Sequence, residues 1–177
     1  STIGQVGYLL MGVAALAAVD SERRISVEFS RLATNGVMLH LVAYSVTSMA
    51  AFLSVIAIYN VTGKEEIVDF AGVARRAPTV AMVFAASMFS LAGFPIFVGF
   101  TSKFYLFNAA AAQGLIWLAG LAMFTSLISL YYYLAVIRQM YIEPAEDPSP
   151  LPVPRLTLGV LGVLAIGMLL LGVYPAP

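Results

Sequence analysis

Between Arg76 and Arg138 the chain carries one charged side chain, Lys103, set in an apolar stretch shortly after the interruption Gly93-Phe94-Pro95. An ammonium group in apolar surroundings is expensive unless it is put to use, so an intramembrane lysine reads as an ion-handling site. Lysine can give up and regain its proton where arginine cannot. Lys103 is therefore the candidate proton relay. The competing role is structural: a cap that donates to carbonyls freed by Gly93 and Pro95 at the end of the preceding half-helix. Counted back from Gln113, Lys103 lies roughly 15 Å along a helix, near the midplane of a bilayer and too deep to snorkel easily.

Two sets of polar side chains at helical spacing extend this site. His40, Tyr44 and Thr47 or Ser48 recur on one segment, and Ser126, Ser129 and Tyr133 on another. Hydroxyl and imidazole groups on one face can carry protons between titrating sites, which makes His40 a second catalytic candidate and Tyr44, Thr47, Ser126, Ser129 and Tyr133 candidates for a polar path. The alternative for these groups is a bond to a neighbouring helix or to their own backbone. Gly-rich phosphate loops, paired carboxylates and nucleophile triads are absent from the sequence. With no cysteine and a single histidine, no metal, iron-sulfur or other cofactor site is expected in this chain.

The elements that must position these residues follow from composition, which is 61% hydrophobic and 10% charged. That places the chain among integral membrane proteins. A formal net charge of zero gives no reason to expect a nucleic-acid partner. Five apolar stretches emerge, at residues 3–19, 32–59, 79–112, 115–141 and 156–174, and all nine acidic residues fall between them, in 20–28, 65–69 and 143–147. Runs this long and uniformly apolar are helices rather than alternating barrel strands. The expected fold class is an all-α integral membrane bundle of five transmembrane helices, the third of them discontinuous.

A straight helix over 79–112 would be roughly 50 Å long against a hydrocarbon core of about 30 Å. Pro95 lacks an amide hydrogen, and Gly93 and Gly99 free the backbone on either side, which puts the break near residues 93–99. Irregular backbone at that depth is tolerated only where protein or a water-filled cavity satisfies it, and broken helices of this kind often form ion sites in transporters. Residues 142–155 read as a proline-rich linker. Gly4, Gly7 and Gly12, and Gly159, Gly162 and Gly167, are expected at close helix crossings, and Tyr131, Tyr132, Tyr133, Arg138 and Tyr141 at the headgroup level. Lys64, Arg75, Arg76, Arg138 and Arg155 on one side outnumber Arg23, Arg24 and Arg31 on the other, which puts the first set in the cytoplasm and the C-terminus outside. Because the chain opens on Ser1 and enters its first apolar run at once, it is expected to be a fragment with further helices upstream.

Three stretches in order, 1–11, 90–105 and 131–141, resemble the C-terminal part of the N-type (subunit 2) antiporter-like subunit of respiratory complex I, the proton-pumping NADH:quinone oxidoreductase. The resemblance runs over nearly the whole chain and implies the last five helices of an antiporter-like bundle of about fourteen, built from two inverted repeats. It implies that 79–112 is the broken helix of the second repeat and that Lys103 is the lysine of the outlet half-channel. It implies as partners the neighbouring antiporter-like membrane subunits, the lipid bilayer and protons, with NADH, flavin, iron-sulfur clusters and quinone held by other subunits; the compact linkers of this multi-pass chain point to a bacterial inner membrane. Subunits of multi-subunit sodium/proton antiporters, and related membrane-bound hydrogenases, share the fold and are the nearest alternative. A structural membrane scaffold is the third reading. Two positions depart from the family pattern: Gln5 stands where histidine is frequent, and His40 where an aromatic residue is usual.

Overall fold

The computed structural model describes residues 2–17 and 27–174. All regular structure among them is helical. Helix α1 (Thr2–Ala17) is followed by α2 (Val27–Thr62), a short 3-10 turn (Ile67–Phe70), α3 (Val73–Arg76), α4 (Pro78–Ala92), α5 (Val98–Ala112), α6 (Ile116–Tyr141) and α7 (Arg155–Val173). Three helices are long and apolar enough to cross a membrane, at Ser30–Thr62, Ile116–Tyr141 and Arg155–Val173, while α1 and α4 are shorter apolar helices. The count of five spans therefore rests on treating α4 and α5 as one crossing. The polar residues 20–26, with Asp20, Arg23 and Arg24, lie outside the described residues.

Helix α2 is the hub, packing against α1, α4, α5 and α7. Its buried face is built from small side chains, Ala43, Ala50 and Ala57 at heptad spacing, which lets neighbouring backbones approach where no hydrophobic effect drives helices together. The larger core cluster surrounds Phe84, Met88, Met140, Leu161 and Met168, and a smaller one holds Tyr8, Met11, Leu106 and Ala119. Leu91 belongs to the first and Tyr8 to the second, and Lys103 touches both. Outward faces are apolar: Trp117, Leu127, Leu156 and Leu170 are all exposed, as lipid or further helices require.

Several expected features are displaced. Helix α2 starts at Val27 rather than at residue 32, because hydropathy marks where a span is apolar and not where its hydrogen-bonded turns begin; the Thr34 hydroxyl donates back to Ser30 O within this first part. Residues 67–76 are partly ordered as the 3-10 turn and α3, with Phe70 and Val73 buried and the Phe70 ring edge-on to Phe84. The proline-rich stretch 142–154 folds back on this loop: Leu151 N donates to Arg76 O, Arg76 Nε donates to Ser149 O, and Leu151 is buried. Of the six glycines expected at close crossings, Gly4, Gly7, Gly159 and Gly162 face open space and Gly167 meets Val46 only at ordinary contact distance, so Gly12 alone is tight, against Leu106 and Val37. Tyr131 and Tyr132 are exposed, but Tyr133 is buried in the main core.

Candidate functional site

Helix α4 ends at Ala92, and Gly93 closes it in a left-handed conformation with φ 88°. The amide of Gly93 donates to Ser90 O and that of Phe94 to Phe89 O, the paired bonds of a Schellman cap. Residues 94–97 then turn, with Phe97 N donating to Phe94 O at 3.4 Å. Pro95 occupies the second position of this turn, where its fixed φ fits, and Ile96 the third, with φ 86°. That third position normally takes glycine. Ile96 is the one non-glycine residue with positive φ among the described residues, a strain of about 1–3 kcal/mol for a β-branched side chain. Phe97 precedes the first turn of α5, and Gly99 N donates to Ser90 Oγ at 3.2 Å, so the two half-helices are stapled together. At Gly99 a Cβ would run into the Ser90 carbonyl. Thr47 Oγ1 lies 3.1 Å from Ser90 Oγ and ties the same staple to α2.

Lys103, one turn into α5, reaches back across this break. Its Nζ donates to Leu91 O at 2.8 Å, to Ala92 O at 3.4 Å and to Ser126 Oγ of α6 at 3.0 Å, and it stands 4.7 Å from the centre of the Tyr8 ring on α1. Lys103 is 4% exposed. Its three donors are thus satisfied by two carbonyls at the C-terminal end of α4, where the helix dipole is negative, and one hydroxyl. No carboxylate pairs with it among the described residues. Both carbonyls also have other donors. Gln5 Nε2 donates to Leu91 O at 3.4 Å, and Ser126 Oγ donates to Ala92 O at 3.2 Å. The geometry of a cap is present, but the carbonyls do not depend on the lysine for a partner.

The other candidates are placed around this centre to different degrees. His40 is 2% exposed, its Nδ1 3.0 Å from Ser102 Oγ, and the Ser102 hydroxyl donates to Gly99 O at 3.1 Å, which leaves His40 Nδ1 as the donor of the pair. Its ring stands edge-on to Tyr8, the residue that also faces Lys103. Ser126 bonds Lys103 directly. Thr47 belongs to the staple, while Tyr44 donates to Thr2 Oγ1 and Ser129 to its own helix at Thr125 O, so neither of these joins the Lys103 cluster. Tyr133 lies in the main core. Sequence spacing did not single out Gln5 as a donor to Leu91 O, Tyr8 as the ring beside the ammonium, or Ser102 as the partner of His40. A cleft of about 370 Å³ opens beside Lys103 and Ser126, walled by Phe94, Phe100, Phe104 and Phe107, with Lys103 its one ionisable group. A buried amine without a counter-ion, held by dipoles at a helix break, can bind and release a proton as nearby charge changes.

The family described as NADH:quinone oxidoreductase/Mrp antiporter, TM, matches residues 1–129. NADH-quinone oxidoreductase subunit N of Moorella thermoacetica is 41% identical over all of this chain, and that of Desulfitobacterium hafniense 35%. The chain spans 35% and 36% of the length of these two curated relatives. Among solved structures, the fold is shared with a chain of the membrane-bound sulfane sulfur reductase, an archaeal respiratory membrane complex, at TM-score 0.75 and 22% identity, covering 98% of this chain and 38% of that one. It is shared with a chain of the Mrp complex of a Dietzia species at TM-score 0.74 and 20% identity, covering 97% and 44%. A chain of respiratory complex I from Thermus thermophilus with bound aureothin matches at TM-score 0.61 and 24% identity, covering 97% and 42%.

Proposed function

The chain belongs to the NADH:quinone oxidoreductase/Mrp antiporter membrane family, and on that premise we propose that it forms the proton-outlet half of a proton-translocating subunit of an NADH:quinone oxidoreductase, with Lys103 as the relay. The observation that carries this reading is the seat of Lys103: fully hydrogen-bonded, buried, and without a carboxylate among the described residues. A carboxylate would hold the proton fixed. Neutral acceptors leave the charge responsive to a second charge brought near it from the rest of the protein, because like charges in a medium of low dielectric repel strongly. When such a charge arrives, the ammonium loses its proton toward the outlet; when it departs, the amine is recharged. The nitrogen stays seated in both states: the ammonium donates to Leu91 O, Ala92 O and Ser126 Oγ, while the neutral amine keeps two N–H donors for the two carbonyls and can accept from the Ser126 hydroxyl at its lone pair.

Redox chemistry belongs to partner subunits in this reading, and the Lys103 side of α5 and α6 handles protons alone. The five-cation loop face lies toward the cytoplasm. Antiport is the second reading, favoured by the antiporter named in the family description; the sodium/proton exchange that the sequence resemblance implies is separated from the first reading by whether transport in vesicles requires sodium.

The test is Lys103→Met in the full-length subunit within its complex. Because Gln5 and Ser126 still donate to the freed carbonyls, the complex assembles, while proton translocation through this subunit falls by at least about tenfold. Normal translocation with methionine in place removes the relay.

A further inference from the structure

Helix α7 ends against the broken backbone. Thr101 Oγ1 donates to Gly172 O at 2.9 Å, which fixes the last turn of α7 to the first turn of α5. A Cβ on Gly172 would overlap the carbonyl of Ile96 and come within 2.6 Å of Val98 N and 2.7 Å of Phe97 C. Those atoms are backbone and cannot swing aside as a side chain would. One of them, the carbonyl oxygen, belongs to Ile96, the strained residue, and the other two to the residues that follow it; a strained φ persists only where its surroundings over-determine it. The Ile96 side chain is itself 64% exposed, so side-chain burial does not hold the conformation.

We infer that Gly172 is a positioning residue for Lys103: bare backbone of α7 clamps the turn 94–97 in its strained form, and that turn sets how α5 departs from the end of α4. Lys103 sits one turn into α5, and two of its three acceptors, Leu91 O and Ala92 O, lie on the other side of the break. Relaxation of the turn would shift one side relative to the other and open the seat. The role of Gly172 in transport rests on the relay reading of Lys103, whereas the clamp itself does not.

The experiment compares Gly172→Ala, Ile96→Gly, their combination, and Gly167→Ala in the full-length subunit within the intact complex, reading amide hydrogen exchange at residues 93–98 and proton translocation per electron in proteoliposomes. Gly167 lies on the same helix, and its added methyl would meet only Val46 at 3.7 Å, so Gly167→Ala behaves as wild type. Gly172→Ala raises exchange across the turn roughly tenfold. It slows translocation by a factor on the order of ten to a hundred, as small displacements of a reacting group do. Adding Ile96→Gly recovers most of both effects, because glycine keeps a positive φ without the clamp. Unchanged exchange in Gly172→Ala, or no recovery in the double variant, overturns the inference. Should exchange follow this pattern while Lys103→Met translocates normally, the clamp stands and the relay reading falls.

Discussion

Arg76 and Arg138, at one end of the bundle, each meet a carboxylate, Asp147 at 3.9 Å and Glu143 at 2.9 Å, while Lys64 lies between Asp69 and Glu146. Lys103, inside the bundle, meets two carbonyls and a hydroxyl. These three loop cations are paired, two of them largely exposed, and pairs of that kind add little to stability. What fixes that region is bonding to backbone carbonyls: Leu151 N donates to Arg76 O, Arg76 Nε to Ser149 O, and, from the end of α6, Gln139 Nε2 to Val68 O. At the break the order is reversed: backbone and hydroxyl groups fix the geometry, and the charge has no opposite among the described residues. Charge that is neutralised holds structure; charge that is only solvated by dipoles remains free to respond.

The largest change to this contrast comes from Gly99→Ala, whose methyl would collide with the Ser90 carbonyl and tear the staple between α4 and α5. Loss of the subunit from the purified complex, measured by its abundance relative to a partner subunit, is the expected result. Ser126→Ala is the intermediate case. It removes the one side-chain acceptor of the ammonium and a second donor to Ala92 O, and a net loss of about 1 kcal/mol slows translocation by roughly fivefold with assembly retained. An unaffected rate in Ser126→Ala would mean that the seat tolerates the loss of its only side-chain member.

Asp147→Asn in the loop gives the smallest effect. The hydroxyl and amide of Ser149, and then Arg76, hold the Asp147 carboxyl below its usual range. A depressed carboxylate contributes stability above its unfolded pKa and loses it as the pH falls through the folded value. Hydrogen exchange at 145–151 therefore rises in Asp147→Asn near neutral pH and converges with wild type in acid, while translocation stays unchanged.

An isolated charge and a proline within an apolar run are visible in sequence because both violate the rule of their surroundings, and the helix interruption between Ala92 and Val98 lies in the stretch that Gly93 and Pro95 mark. The partners of the site are another matter. Gln5 to Leu91, Thr47 to Ser90, and Thr101 to Gly172 each join residues far apart in the chain, and spacing along one helix says nothing about which neighbour its face will meet. The same limit explains the glycines: Gly4 and Gly159 have the composition of a crossing but no helix opposite them here, while Gly172 meets backbone directly. Hydropathy also hid the docking of 142–154, since Leu151 is one buried side chain in an otherwise polar, proline-rich stretch.

Lys103→Arg tests the central claim most directly. Arginine keeps a positive charge and donors enough for Leu91 O, Ala92 O and Ser126 Oγ, so a cap survives, but it does not give up its proton. With the full-length variant in its complex, proton translocation per electron in proteoliposomes is expected to fall at least as far as in Lys103→Met, with assembly intact. Wild-type translocation with arginine in place would contradict the relay and leave Lys103 as a cap.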